Sequence, residues 1–371
     1  MIWRSNFQLS LIFCITATTT YSQNDKFPLL SIGDPAPVLR LREWIKGAPI
    51  QQFERGNVYV VEFWATWCKP CIAAMPHLSV LACEYKDKVT ILGIDIYEKK
   101  TTSMEKVRAF VDSMGHLMDY NVAAADTSFM EAAWFNASGE EGIPITFVVN
   151  AEGRLVWIGS PKGLDEVLPK VVNNTWDIEE TLAKRKLEKH LEEQDNAARE
   201  ELNKYLGNPR NPDDLGKPDS ALLVINEIVR KEPKLKYAPN IAFHTVSSLL
   251  KTNLQKAYVY GKEVLMTSTK EEPLYQSIIE PIKWYSNKLN LPVEIYALGA
   301  EAYQAKIDHN PESANISSNY HKMAEWYWRA GDKLKAIVAQ QKAIELLKRK
   351  KDFSAGEIAA FEARLQKYKN M

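Results

Sequence analysis

The sequence has little of several features that would define a class of protein at once. Only four cysteines occur among 371 residues, too few for a scaffold held together by several disulfides. Lysine plus arginine and aspartate plus glutamate both number 47, so the formal net charge is zero. Without an excess of positive charge, neither nucleic acid nor an anionic membrane is the expected partner. The hydrophobic content of 46% excludes a disordered or low-complexity chain.

Long apolar runs are also absent, and none reaches the roughly 20 residues of a membrane span. The longest candidate is N-terminal, where Arg4 precedes an apolar run over 7–17 and a small, polar stretch over 18–22. This order predicts a secretory signal peptide over residues 1–22, cleaved near Ser22. We therefore expect an exported protein, periplasmic or otherwise extracytoplasmic, with no membrane span after cleavage.

Strand and helix patterns alternate over residues 30–173. Runs rich in β-branched and aromatic residues predict strands, and stretches with an apolar stripe predict helices between them. The predicted strands cover 57–64, 89–96, 145–150 and 154–159, and the predicted helices cover 69–85 and 103–114. Alternation of this kind predicts an α/β domain with an open, largely parallel sheet and helices on both faces.

Strand patterns end after Trp176. A long charged helix pattern over 178–206 is followed by a Pro- and Gly-rich break at 207–218, and then by successive amphipathic helices. The stretch 324–347 is similar to a tetratricopeptide-type helix pair, although the spacing of such pairs is irregular. Residues 177–371 are therefore predicted to form an all-α, helical-repeat-like domain, a type that usually binds protein partners.

The candidate chemistry lies where the first predicted strand ends and a helix begins, at Cys68 and Cys71. Unpaired N–H groups and the helix dipole stabilise an anion there, so the pKa of the Cys68 thiol should fall below the free value of about 8.5. Lys69 adds a positive charge, and Pro70 is tolerated because N–H groups of the first turn have no helical partner. Cys71, one turn later, suits a resolving thiol. Cys83, further along this helix, is predicted to be a small buried hydrophobe.

A CxxC pair is also half of many zinc sites, which need two more ligands. The neighbouring candidates are His77 and Cys83, and the sequence contains no second paired motif. We therefore predict no metal site.

Residues 62–71, EFWATWCKPC, resemble the active site of thioredoxin-fold proteins, and most closely that of the exported TlpA/ResA-like (redoxin) thiol–disulfide oxidoreductases. The resemblance covers residues 30–173 and implies a thioredoxin-like fold. Other segments match the family's lead-in, helix proline, insertion and cis-proline loop: IGDPAP at 32–37, Pro76, 102–126 and GIP at 142–144.

The resemblance implies a substrate-binding edge. Pro144 in the family position implies a cis peptide that presents the backbone of Ile143 to an extended substrate beside the CxxC pair. Trp67, Lys69 and Pro70 would then border the substrate.

The resemblance also implies a role for Glu62, which lies six residues before Cys68, where many thioredoxins carry a buried acid. A carboxyl group buried there should have a raised pKa and accept the proton of Cys71. The alternative is that Glu62 reaches the sheet edge and water.

Together these features predict an exported thiol–disulfide oxidoreductase, acting as a reductase of protein disulfides. Cys68 attacks the substrate, and Cys71 releases it and leaves a Cys68–Cys71 disulfide, the only redox group expected. A thiol protein or a membrane electron relay would restore the dithiol.

Three alternatives remain. A disulfide oxidase or isomerase differs only in direction, which depends on a potential that ranges from about −270 to about −120 mV in such proteins. A redox-sensing scaffold would use the helical half to bind its partner. A peroxiredoxin-type peroxidase is disfavoured because Ala65 occupies the place of the threonine expected three residues before the cysteine.

Overall fold

A computed structural model describes residues 28–207, 214–269, 273–350 and 354–370. The predicted signal peptide therefore lies outside the described residues. The chain divides into two compact units between Arg185 and Lys186. In the part of the chain that is described, no helix is both long and apolar enough to cross a membrane.

The first unit is built around one six-stranded sheet. Its strands are β1 (Leu41–Lys46), β2 (Val58–Trp64), β3 (Val89–Asp95), β4 (Asn121–Ala125), β5 (Ile145–Val149) and β6 (Leu155–Gly159). They lie side by side in the order β1-β4-β3-β2-β5-β6. Every residue of β2 is buried, as expected for a central strand covered on both faces.

The sheet is mixed, so the prediction of a largely parallel sheet is wrong. β2 pairs in parallel with β3, and β3 with β4, whereas the pairs β1–β4, β2–β5 and β5–β6 are antiparallel. The link from β5 to β6 is only five residues long, from Asn150 to Arg154. A parallel neighbour requires a crossover of about a dozen residues or more, so this link imposes the antiparallel pairing.

Helices cover both faces of the sheet, as predicted. They are α1 (Lys69–Glu84), α2 (Met104–Met114), α3 (Thr127–Met130) and α4 (Leu164–Val172), and α3 continues into a π-helical turn at Glu131–Asn136. One core lies under α1, α2 and α4 and includes Val60 and Leu78. The other lies under the π-helical turn and includes Phe63 and Trp134. Each strand or helix predicted for this unit contains the observed element at that position.

The second unit is helical throughout its described residues. The helices after α4 are α5 (Ile178–Leu202), which begins in the first unit, α6 (Pro218–Lys231), α7 (Pro239–Thr252), α8 (Leu254–Thr267), α9 (Gln276–Tyr285), α10 (Val293–His309), α11 (Ile316–Arg329), α12 (Lys333–Lys348) and α13 (Ala355–Asn370). The predicted helix pair at 324–347 corresponds to α11 and α12, joined at Gly331, whose φ is 81°. Membership of a repeat class stays a prediction.

Candidate active site

Cys68 and Cys71 form a disulfide at the N-terminus of α1. Cys68 is the N-cap, and its sulfur accepts the backbone N–H of Cys71 at 3.3 Å. No acidic residue lies in the first turn of α1, so the helix N–H groups and dipole act on position 68 without opposition. The local structure therefore has what a stabilised thiolate at Cys68 requires after reduction.

The two cysteines do not differ in burial. Cys68 is 2% exposed and Cys71 is 1% exposed, because both belong to the core cluster under α1. The surface around them consists instead of Trp67, which is 45% exposed, and of the exposed Lys69 and Pro70. These three neighbours are the groups that an approaching molecule meets first.

The loop before β5 lies at the same end of the sheet as the CxxC pair. Phe63 of β2 pairs with Ile145 of β5, so the residues that follow β2 and those that precede β5 leave the sheet side by side. The Ile143–Pro144 peptide is cis. Ile143 is half-buried and packs against the core cluster that contains Cys68. The structure thus brings the predicted substrate edge and the predicted nucleophile to one place.

Glu62 is 2% exposed in the middle of the sheet, so the alternative in which it reaches water does not hold. The Thr146 hydroxyl donates a hydrogen bond to Oε2 of Glu62, and Oε1 has no partner among the described residues. Burial raises the pKa of the Glu62 carboxyl well above its ordinary value, and the hydrogen bond from Thr146 opposes that rise. A carboxyl group of this kind keeps its proton to a higher pH than an exposed glutamate does, which is typical of groups that transfer protons.

Comparisons with known proteins agree with this geometry. Residues 50–114 match the family model described as Thioredoxin. The chain is 33% identical over 152 residues to protein FixW of Rhizobium leguminosarum, a match covering 40% of this chain and 68% of FixW. It is 30% identical over 155 residues to the thiol:disulfide interchange protein HelX of Rhodobacter capsulatus, covering 40% of this chain and 81% of HelX.

A third relative is the thiol–disulfide oxidoreductase ResA of Oceanobacillus iheyensis, 32% identical over 100 residues that cover 26% of this chain and 52% of ResA. This chain belongs to the thioredoxin-like thiol–disulfide oxidoreductases. The region that matches the family model lies within the first unit, which is also the unit that holds the disulfide.

On the strand that leads to the disulfide, this oxidoreductase has a buried polar cluster that was not predicted from the sequence. Trp64 Nε1 and the Tyr120 hydroxyl, like Glu62 Oε1, are buried without a partner among the described residues. Gly93 pairs with Glu62 across the sheet, and a Cβ at Gly93 would meet Tyr120 Cε2 at 2.9 Å and Trp64 Nε1 at 3.2 Å. Burial, and then the charge of Glu62, raise the pKa of Tyr120. The missing side chain at Gly93 is what lets these rings lie close to the acid.

A second feature missed from the sequence is the segment after β3. Glu98 accepts hydrogen bonds from Thr66, and the carbonyl of Tyr97 accepts one from Trp67. The signal was present, since the carboxyl ends of the parallel strands β2 and β3 lie at one edge of the sheet. Polar residues that follow these two strands therefore meet.

Cys83 is exposed near the end of α1, so the prediction that it is a buried hydrophobe is wrong. The core-facing residues of this part of α1 are Leu78, Ser79 and Leu81, and Cys83 lies on the solvent side of that face. No group of three metal-ligating side chains occurs among the described residues, so the CxxC pair, His77 and Cys83 do not come together there as a ligand set.

Proposed function

We propose that this oxidoreductase is an exported reductase of protein disulfides that works through Cys68 and Cys71. The observation that carries the proposal is the position of Cys68 at the N-cap of α1, with its sulfur accepting the N–H of Cys71. This is the position in which a thiolate is stabilised and a second thiol is within reach.

The reducing direction is supported by the buried acid Glu62 on β2, the strand that leads to this site. When Glu62 is ionised, its negative charge disfavours the thiolate of the reduced form and so favours the disulfide. A protein whose disulfide form is favoured gives up electrons readily and acts as a reductant, whereas strong oxidants of this fold stabilise the reduced form.

The proposed cycle begins with attack of the Cys68 thiolate on one sulfur of a substrate disulfide. A mixed disulfide forms, and the other substrate sulfur leaves as a thiolate. Cys71, whose proton passes to Glu62, then attacks the Cys68 sulfur. The second substrate thiolate leaves, two electrons have moved to the substrate, and Cys68–Cys71 is oxidised. A dithiol donor, either a thiol protein or a membrane electron relay, reverses these steps to regenerate the reduced pair, with no metal or other cofactor.

The substrate is proposed to lie along the backbone of Ile143, next to Pro144, with Trp67, Lys69 and Pro70 on its other side. The pairing of β2 with β5 and the exposure of the three residues around the disulfide support this arrangement. An extended strand of the substrate would hydrogen-bond to the loop backbone, as in other cases of strand addition to a sheet edge.

Export and a partner of the helical unit complete the proposal. Export rests on the basic, apolar and small-polar order of residues 1–22, and N-terminal sequencing of the mature protein in its native host tests it: the chain should begin near Gln23. A protein partner on the second unit rests on its all-helical build. Cross-linking of the full chain in that host should then place partner peptides on residues 186–371.

The direction of transfer is tested by equilibrating the full chain with glutathione buffers and separating dithiol from disulfide forms. A reductase should have a reduction potential of about −270 mV and should catalyse dithiol-driven reduction of insulin. A value near about −120 mV would instead assign the protein to the oxidases. The matched control is Cys83→Ser, which removes the exposed thiol and leaves the pair intact.

A further inference from the structure

The turn that carries Thr66 and Trp67 into Cys68 is held by the segment that follows β3. Glu98 Oε1 accepts the backbone N–H of Thr66 at 2.5 Å, and Oε2 accepts the Thr66 hydroxyl at 2.9 Å. The indole N–H of Trp67 donates to the carbonyl of Tyr97 at 2.8 Å. Three hydrogen bonds therefore fix the two residues before the nucleophile, and two of them end on one carboxyl group.

The backbone of Tyr97 is shaped for this contact. Its φ is 59°, in the left-handed region that residues other than glycine seldom adopt and that is concentrated at functional sites. The Tyr97 ring packs edge-on against Phe135 of the π-helical turn, with centroids 5.3 Å apart. The ring thus anchors a residue whose carbonyl and whose neighbour, Glu98, both point at the active-site turn.

Asp95 is a buried acid whose pKa is affected by Glu98. It is the last residue of β3, pairs with Trp64 and is 5% exposed. Burial, the charge of Glu98 and a hydrogen bond with Glu98 together raise the pKa of Asp95 to about 8. A raised pKa means that Asp95 keeps its proton to a higher pH, so its neutral carboxyl group can donate a hydrogen bond to the Glu98 carboxylate.

The surroundings of Asp95 leave it few other charged neighbours. Asp95 lies on a small cavity of about 70 Å³. The charged or titratable side chains on its wall, besides Asp95, are Arg42 of β1, Tyr97 and Glu98. Arg42 is the one cation among them, and Asp95 Oδ1 has no hydrogen-bond partner among the described residues. The charged group that acts on the pKa of Asp95 is Glu98.

We propose that Glu98 and Asp95 form a positioning pair that holds the active-site turn in place for Cys68. The Glu98 carboxylate holds Thr66, and the proton of Asp95 holds Glu98. This pair acts on the site of the proposed function but requires only its thiol–disulfide chemistry, so it stands for transfer in either direction. Glu98 contacts Thr66 and not the sulfurs, so both residues act through Thr66.

The pair makes the turn sensitive to alkaline pH. Around neutral pH, Asp95 is mostly protonated and the hydrogen bond to Glu98 is intact. As pH rises through about 8, Asp95 ionises, the hydrogen bond is lost and two carboxylates face each other. The hold of Glu98 on Thr66 should weaken in that range.

The test is an NMR titration of the oxidised full chain from pH 6 to pH 10, following the Thr66 amide and the Trp67 indole N–H. Both resonances should shift with a midpoint near pH 8 in the unaltered protein. Asp95→Asn, which cannot ionise, should abolish this step, and Glu98→Gln should move the Thr66 amide at every pH. Glu152→Gln, at an exposed acid in the turn between β5 and β6, is the matched control and should leave both resonances unchanged.

A kinetic measurement separates positioning from folding. Glu98→Gln and the milder Thr66→Ala, which removes only the hydroxyl bond, should slow insulin reduction by roughly tenfold and by less than that, respectively. An Asp95→Asn protein that keeps the pH 8 step, or a Glu98→Gln protein with an unmoved Thr66 amide, would overturn the proposal. An oxidising potential with these shifts intact would refute only the reducing direction.

Discussion

The buried acids of the two units differ in their hydrogen bonding. In the first unit, Glu62 and Asp95 each keep one oxygen without a partner among the described residues, and burial raises the pKa of both. In the second, the buried Asp195 accepts the backbone N–H of Asn240 at 2.9 Å, the side-chain amide of Asn240 at 2.9 Å and the N–H of Ile241 at 3.1 Å. Asp195 thus caps the start of α7, and both of its carboxyl oxygens accept hydrogen bonds.

A half-buried polar group of the second unit follows the same pattern. Lys251 donates to the carbonyl of Leu215 at 2.8 Å and to the hydroxyl of Tyr285 at 3.2 Å. The described atoms of this unit that are buried without partners are two hydroxyls, of Ser247 and Tyr368. Native proteins form hydrogen bonds to most buried polar groups. Buried carboxyl groups without such bonds lower stability, and they are typical of functional sites. The contrast places the chemistry in the first unit.

The largest effect on this difference between the units is expected when the nucleophile, Cys68, is removed. Cys68→Ser should reduce insulin reduction to the uncatalysed rate, since no other described cysteine lies at a helix N-terminus. Cys71→Ser should keep the attack by Cys68 but prevent release, so mixed disulfides with substrates should accumulate on non-reducing gels. Activity that survives in Cys68→Ser would place the chemistry elsewhere.

Removal of the charge of Glu62 tests the acid itself. Glu62→Gln should slow release from the mixed disulfide by about 10²-fold, the lower range for a lost general base. Single-turnover reduction of a disulfide peptide, with the two steps resolved by acid quench, measures this. Glu152→Gln serves as the control at an exposed acid. An unchanged release rate would mean that another group takes the proton of Cys71.

The same variant should have the opposite effect on stability from a variant of Asp195. Because the folded pKa of Glu62 is raised above 4.5, the folded state binds more protons than the unfolded state in the window above that value. Stability contributed by protonated Glu62 is therefore full at low pH and lost as pH rises through the raised pKa. Urea unfolding at pH 8 should show Glu62→Gln stabilised by about 1–3 kcal/mol, with no gain at pH 4, and Asp195→Ala destabilised by about 2–4 kcal/mol.

The packing of the second unit offers a change that should leave the chemistry alone. A Cβ at Gly299 of α10 would lie 2.1 Å from the Trp326 ring of α11. Gly299→Ala should therefore cost about 1–3 kcal/mol of stability through overpacking, while insulin reduction at 25 °C stays unchanged. Gly356→Ala, where nothing lies within 4 Å, is the control. A loss of activity in Gly299→Ala at a temperature where it is folded would show that catalysis needs the helical unit.

The smallest effect is expected at Cys83. Because its side chain is exposed, Cys83→Ser should change the free energy of unfolding by less than about 0.5 kcal/mol and leave insulin reduction unchanged. Chemical denaturation and the insulin assay measure both. A drop in rate would give this exposed thiol a part in turnover.

The sequence predicted four of the six strands and missed the two whose pattern is weak. β1 reads LREWIK, half of it charged, and β4 reads NVAAA, rich in a residue that is depleted in strands. Each forms because the other lies beside it, with Trp44 opposite Ala123. The exposure of Cys83 was likewise missed, since a helix pattern does not show which flank of its apolar stripe packs against a neighbour.

What the sequence determined by itself was local: the CxxC pair, the helix that begins at it, and the division into an α/β and a helical half. These features follow from spacing and periodicity, which depend only on residues that are close together in the sequence. Only the tertiary structure decided that Glu62 is buried beside Trp64 and Tyr120, and that Glu98 holds Thr66. The contacts of Glu62 with Tyr120 and of Glu98 with Thr66 join residues far apart in the chain through strand pairing, and pairing depends on the whole sheet.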